Sequence, residues 1–109
     1  MAIIKNINPS EIVQIAGLTE YLPGQIVSKT LSQNASHTIT LFAFSKGEEI
    51  SSHESDGDAM VIVLDGTGKI TIDGEDYILN SGETIVMPAK KPHAVYAQEN
   101  FKMLLIVIF

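Results

Sequence analysis

The chain has 109 residues, 13 acidic against 7 basic side chains, no tryptophan and no cysteine, which sets one domain around one core and excludes disulfides, thiolate metal sites and a cysteine nucleophile. The net charge of −6, with Glu48, Glu49, Glu54, Asp56, Asp58 and Asp65 in one short stretch, repels phosphate backbones and argues against nucleic acid as a partner. Every basic residue is lysine, so no guanidinium is present to clamp a carboxylate or phosphate in two-pronged fashion.

Met-Ala-Ile-Ile-Lys at the start is too short and interrupted for a signal peptide, and the apolar run Met103 to Phe109 falls far below the ~20 residues of a membrane-crossing helix. A cytoplasmic protein with no membrane partner is the expectation. Asn8-Pro9-Ser10-Glu11 combines a capping residue, a proline at a first helical position and a glutamate able to reach back, which predicts a short helix through Ala16. Pro23-Gly24 reads as a type II turn leading into a strand from Gln25 to Leu31, suited to an edge or to pairing across a dimer.

A strand from Thr38 to Phe44 follows the Asn34-Ala-Ser loop. Ala59 to Leu64 is another, and Asp65-Gly66-Thr-Gly68 is expected to turn it back onto a strand beginning at Lys69, giving a meander. The strongest hairpin signal is Lys69 to Leu79 around Asp73-Gly74, a pair that accepts the positive φ angles of a type I′ turn. Asn80-Ser81-Gly82 and Pro88 bracket a strand from Glu83 to Met87, and His93–Ala97 and Phe101–Phe109 supply two more. Short strands with turn residues every eight to twelve positions are the rhythm of an all-β sandwich or barrel, with roughly that spacing.

Two segments carry the functional signal. Gly47 and His53 fall six apart, with Gly66 after them; Gly82, Pro88 and His93 repeat a glycine, proline and histidine spacing. In this the chain resembles the cupins, whose first motif is a glycine, His-x-His, a glutamate and a glycine, and whose second is a glycine, a proline, a glycine, a histidine and an asparagine. Ser55 stands at the second histidine and Ala59 at the glutamate; Lys90 replaces the second motif's inner glycine and Ala97 its asparagine.

The resemblance implies an all-β, cupin-type antiparallel β-barrel of jelly-roll form, with a core barrel over residues 38–109 and an N-terminal strand and dimerisation segment over 1–33. It also implies that His53, Ser55, Ala59 and His93 line one ligand pocket. The family's three histidines and glutamate hold a divalent Fe, Mn, Ni, Cu or Zn; here only His53 and His93 remain as metal ligands, with Asp58 the first acid to help and Asp56 and Glu54 behind it. Gly57 is expected to give that stretch its flexibility, although strand parity sends Glu54 and Asp58 outward.

Other residues read more plainly. His37 is expected in solvent or capping a loop, Met60, Met87 and Met103 in the core, Phe42 and Phe44 in packing, Tyr96 away from the pocket, and Lys90-Lys91 in a solvated loop between Pro88 and Pro92, which aim His93. Two functions follow. The first is a homodimeric cupin binding a small organic ligand in its cavity without a full metal site; the second is a metal-dependent enzyme of dioxygenase or isomerase type using His53 and His93, with catalytic residues undefined.

Overall fold

The structure is a computed structural model that describes residues 3–109; Met1 and Ala2 of the expected N-terminal segment lie outside the described residues. Among the described residues, nine strands follow a single 3-10 turn at Ile15–Gly17: β1 (Ile26–Gln33), β2 (His37–Phe44), β3 (Glu49–His53), β4 (Asp58–Asp65), β5 (Thr67–Ile72), β6 (Glu75–Asn80), β7 (Thr84–Met87), β8 (His93–Ala97) and β9 (Phe101–Ile108). All strand pairs are antiparallel. They form a five-stranded sheet in the order β1-β2-β9-β4-β7 and a four-stranded sheet in the order β3-β8-β5-β6. This is a jelly-roll sandwich, and its hydrogen-bonded ladders make two facing sheets rather than one ring.

Alternation along each strand explains the packing. Ala59, Val61 and Val63 of β4 are buried while their neighbours are not, and His93, Val95 and Ala97 of β8 repeat the pattern from the opposite sheet. These faces meet around Phe44, Ile70, Phe101 and Met103, all at most 1% exposed. Phe44 and Phe101 stack with ring centroids 4.7 Å apart, a geometry worth about 0.5–1.5 kcal/mol beyond burial alone.

The turns behave as their residues dictate. Asp73 (φ 49) and Gly74 (φ 84) form the hairpin between β5 and β6, and Gly24 (φ 69) occupies the turn closed by the Gln25 N–H donating to the Leu22 carbonyl at 3.0 Å. The expected meander at Asp65–Gly68 is corrected: β4 and β5 belong to different sheets, so the chain crosses the sandwich there. Gly66 (φ 76) makes the crossing, and a Cβ at that position would run into the Asn100 carbonyl. Turn residues mark the break between the strands, but the choice of partner strand depends on β9, which pairs with β4 and is remote in sequence.

The expected N-terminal helical turn is present as the 3-10 turn at Ile15–Gly17, but its expected start at Asn8–Pro9 is corrected. Ser10 has φ 64, which breaks any helix begun at Pro9, and Asn8 Nδ2 donates to Glu11 Oε2 at 3.2 Å instead of the side chains capping a helix. The segment is tied down by long side chains. Lys29 Nζ donates to the Leu18 carbonyl at 2.6 Å, Lys102 Nζ to the Ala16 carbonyl at 2.7 Å, and Tyr21 Oη to Asp65 Oδ2 at 2.6 Å. Burial first, and then that bond and the charge of Asp65, push the Tyr21 hydroxyl pKa well up.

Candidate functional site

The site lies at one end of the sandwich, where β3 and β8 pair. Their register sets His53 directly opposite His93, after a bulge between Ile50 and His53 that takes up Ser51 and Ser52. A bulge re-aims the side chain that follows it. The result is a contact between the two rings: His53 Nε2 and His93 Nε2 are 3.0 Å apart, and the rings meet edge to face with centroids 4.3 Å apart.

Each ring is fixed from behind by a backbone carbonyl. His53 Nδ1 donates to the Ser51 carbonyl at 3.0 Å and His93 Nδ1 to the Lys91 carbonyl at 3.2 Å. A carbonyl only accepts, so both Nδ1 atoms carry hydrogen and both Nε2 atoms face the cavity. His93 is 2% exposed, whereas His53 sits at the rim, exposed. Burial first, and the neighbouring His53 second, lower the His93 pKa below its ordinary value of 6.5, partly opposed by its bond to Lys91.

Below the imidazoles opens a cavity of about 440 Å³. Its wall includes His53, Ser55, Ala59 and His93, together with Phe42, Ile50, Met87, Val95, Met103, Leu105, Val107 and Phe109. All four sequence-expected pocket residues therefore share one cavity. Met87 and Met103 lie on its floor while also filling the core, and Phe42 belongs to the wall as much as to packing. The aliphatic lining came from strands that sequence reading assigned only to the core; once alternation places Ala59 inward, Val107, its β9 partner, follows.

Asp58 stands outside the cavity wall, as strand parity expects, and its Oδ1 accepts from the Ala89 N–H at 2.8 Å, pinning the loop before β8. Glu54 and Asp56 are the carboxylates that line the cavity. Gly57 is not a flexible joint either: it is buried, and a Cβ there would strike the Ile108 backbone, so the glycine is required by close approach. That contact overrides the parity rule, since the chain between β3 and β4 folds over the cavity mouth rather than continuing as a strand.

Two further expectations are corrected: Met60 is half-buried outside the core cluster, because its neighbours Ala59 and Val61 take the inward positions of β4, and His37 is half-buried against Ser32 rather than solvated. His37 Nε2 meets Ser32 Oγ at 2.8 Å, away from the cavity, and Tyr96 turns outward under Lys69, whose Nζ lies 5.2 Å from the ring centroid. Lys90 has φ 64, so the lysine takes the left-handed backbone conformation that suits a glycine, and its N–H donates to the Ser55 carbonyl at 2.7 Å. That bond fastens the two loops that carry Ser55 and His93.

A cupin domain model matches residues 40–109. The chain belongs to the cupin family. This cupin is 33% identical over 85 residues to quercetin 2,3-dioxygenase of Bacillus subtilis, a match covering 73% of the chain and 25% of that enzyme, so the chain spans about a quarter of the length of the curated relative. Among solved structures, a conserved protein of unknown function from Streptococcus pyogenes superimposes with a TM-score of 0.97 at 45% identity, covering 99% of this chain and 95% of that one. A cupin superfamily protein from Desulfitobacterium hafniense gives 0.94 at 33% identity, covering 99% of both chains.

Cupins commonly hold a divalent metal, so the donor set bears on this one. Two imidazole nitrogens converge, each backed by a carbonyl as metal-bound histidines usually are. Beyond them the family's third and fourth ligand positions are Ser55 and Ala59, and among the described residues no group of three or more His, Asp or Glu is placed to hold a metal ion. The residues present supply half of the family's ligand set and do not fit a resident metal held in that manner.

Proposed function

We propose that this cupin binds a small organic ligand in the cavity between its sheets, with His53 and His93 as the polar anchor. The observation that carries the reading is the convergence of two Nε2 atoms, 3.0 Å apart, at the head of a cavity of about 440 Å³ lined mostly by apolar side chains. That volume falls within the ~300–1,000 Å³ of ordinary ligand pockets, which are apolar with a few polar groups that fix orientation. Ala59 and Ser55 free the space that larger ligand side chains would fill.

A fragment screen followed by NMR tests it, reading the methyl signals of Met87 and Met103 with the imidazole signals of His53 and His93. Binders are expected to move the methionine and histidine signals together. A screen whose hits leave Met87 and Met103 unmoved overturns the proposal.

The second reading, a metal-dependent enzyme of dioxygenase or isomerase type, draws on the two carbonyl-backed imidazoles and on the similarity to a dioxygenase. Elemental analysis of untagged protein decides between them, with stoichiometric metal favouring the enzyme. A homodimer is part of the same proposal, supported by the exposed apolar side chains Ile3, Ile4 and Ile12 of the N-terminal segment and by Val86 and Ile108 on the five-stranded sheet. No described helix is long and apolar enough to cross a membrane. A cytoplasmic location is kept as part of the same proposal.

A further inference from the structure

The hydrogen-bond count at the histidine pair does not close. Two N–H groups go to the Ser51 and Lys91 carbonyls, and the contact between the two Nε2 atoms needs a third. Two neutral imidazoles own only two. With both rings neutral, two lone pairs face each other across 3.0 Å, an arrangement that a donor from a bound ligand beside them would satisfy. The head of the cavity is thus an acceptor pair looking for N–H or O–H groups.

The charges around it have one sign. Glu54 and Asp56 are the charged side chains that line the cavity; no lysine lines it, and the whole chain has no arginine. An anion entering here meets two carboxylates and finds no cation to receive it, while a cation is drawn in by a protein of net charge −6. Phe42 and Phe109 add aromatic faces to the wall, which favour a cation further.

We propose that the ligand of this cavity is a protonated primary or secondary amine on an apolar body, its N–H groups donating to Nε2 of His53 and His93. The inference rests on the ligand-binding reading above and narrows it to a chemical class. The ammonium supplies the donor the pair lacks, Glu54 and Asp56 balance its charge at the mouth, and the apolar floor takes the hydrocarbon. Charge-assisted hydrogen bonds of this kind are about twice as strong as neutral ones.

Four probes of nearly one shape test it by calorimetry on the full chain with a chelator present: phenethylammonium, its N-trimethyl derivative, hydrocinnamate and phenethyl alcohol. Phenethylammonium is expected to bind about tenfold or more tightly than hydrocinnamate, and more tightly than the trimethyl compound, which keeps the charge but has no N–H. His53→Ala, at an exposed position where the fold is checked by circular dichroism, should remove the preference for ammonium over alcohol. Glu54→Gln with Asp56→Asn should reduce it.

If hydrocinnamate binds as well as phenethylammonium, or the trimethyl compound matches it, the amine class is overturned while the cavity reading stands. Failure of all four probes to bind or to move the Met87 and Met103 methyl signals overturns both.

Discussion

The same two sheets enclose two unlike ends. At one end Phe44, Phe101, Ile70 and Val63 interlock with 1% exposure or less, and Gly68 lets the Phe101 ring lie against the backbone, where a Cβ would clash. At the other, Ala59 and Ser55 leave space, and the sheets stand apart around about 440 Å³. The filled end holds the sandwich together by large side chains in contact, and the open end is held by hydrogen bonds to backbone groups: the Lys90 N–H to the Ser55 carbonyl, the Ala89 N–H to Asp58 Oδ1, and the carbonyls behind both histidines. A cavity can persist at one end because cohesion is concentrated at the other.

The largest expected effect breaks the filled end. Phe101→Ala removes the stacking partner of Phe44 and opens a void among rigid strands, and should cost about 3–5 kcal/mol of unfolding free energy in a urea titration. Binding at the cavity, measured where the variant is still folded, should change little. A loss of binding without a loss of stability would mean that the two ends are not separable.

The next effect rebuilds the open end. Ser55→His with Ala59→Glu restores the donor types that cupins use beside His53 and His93, on residues that already line the cavity. Divalent-metal affinity should rise about a hundredfold or more, roughly 2.7 kcal/mol, by calorimetry with zinc. Native protein that already binds zinc as tightly as the double variant would show that an unassigned ligand completes the site.

Much of this contrast was legible in the sequence, for a physical reason. The resemblance of the two motifs to those of cupins implied one pocket for His53 and His93, while glycine, proline and strand period marked locally where the strands and turns around them fall. The Asp73-Gly74 hairpin was legible in the same way. What escaped were the features set by contacts between remote segments. The switch of sheets at Gly66 depends on Asn100, the fold of Gly57 over the mouth depends on Ile108, and the broken helix at Ser10 belongs to a segment held by Lys29, Lys102 and Asp65. The bond that Asp58 makes escaped for a similar reason, since the Ala89 N–H is 31 residues away and left no signal near Asp58, although strand parity had already turned that side chain outward.

Asp58 gives a smaller effect that sharpens the comparison. Asp58→Ala removes an acceptor for the Ala89 N–H and should cost about 1 kcal/mol by loosening the loop that precedes His93. Metal uptake should be unchanged, checked by the same zinc titration. A fall in zinc affinity would return Asp58 to the site.

The smallest effect is a pH dependence confined to the open end. Burial, and then His53, hold the folded-state pKa of His93 below its ordinary 6.5, so below that pH the unfolded chain binds more protons than the folded one. Stability from this group is therefore intact above 6.5 and is lost as pH falls through 6.5 toward the lowered folded value. Titration of the Phe101→Ala variant should shift the whole stability curve without altering that slope, because the ring lies at the filled end. His93→Asn should flatten the slope itself, in urea midpoints measured at stepped pH. If His93→Asn leaves the slope unchanged, the acid sensitivity does not come from His93, and burial does not hold that ring neutral.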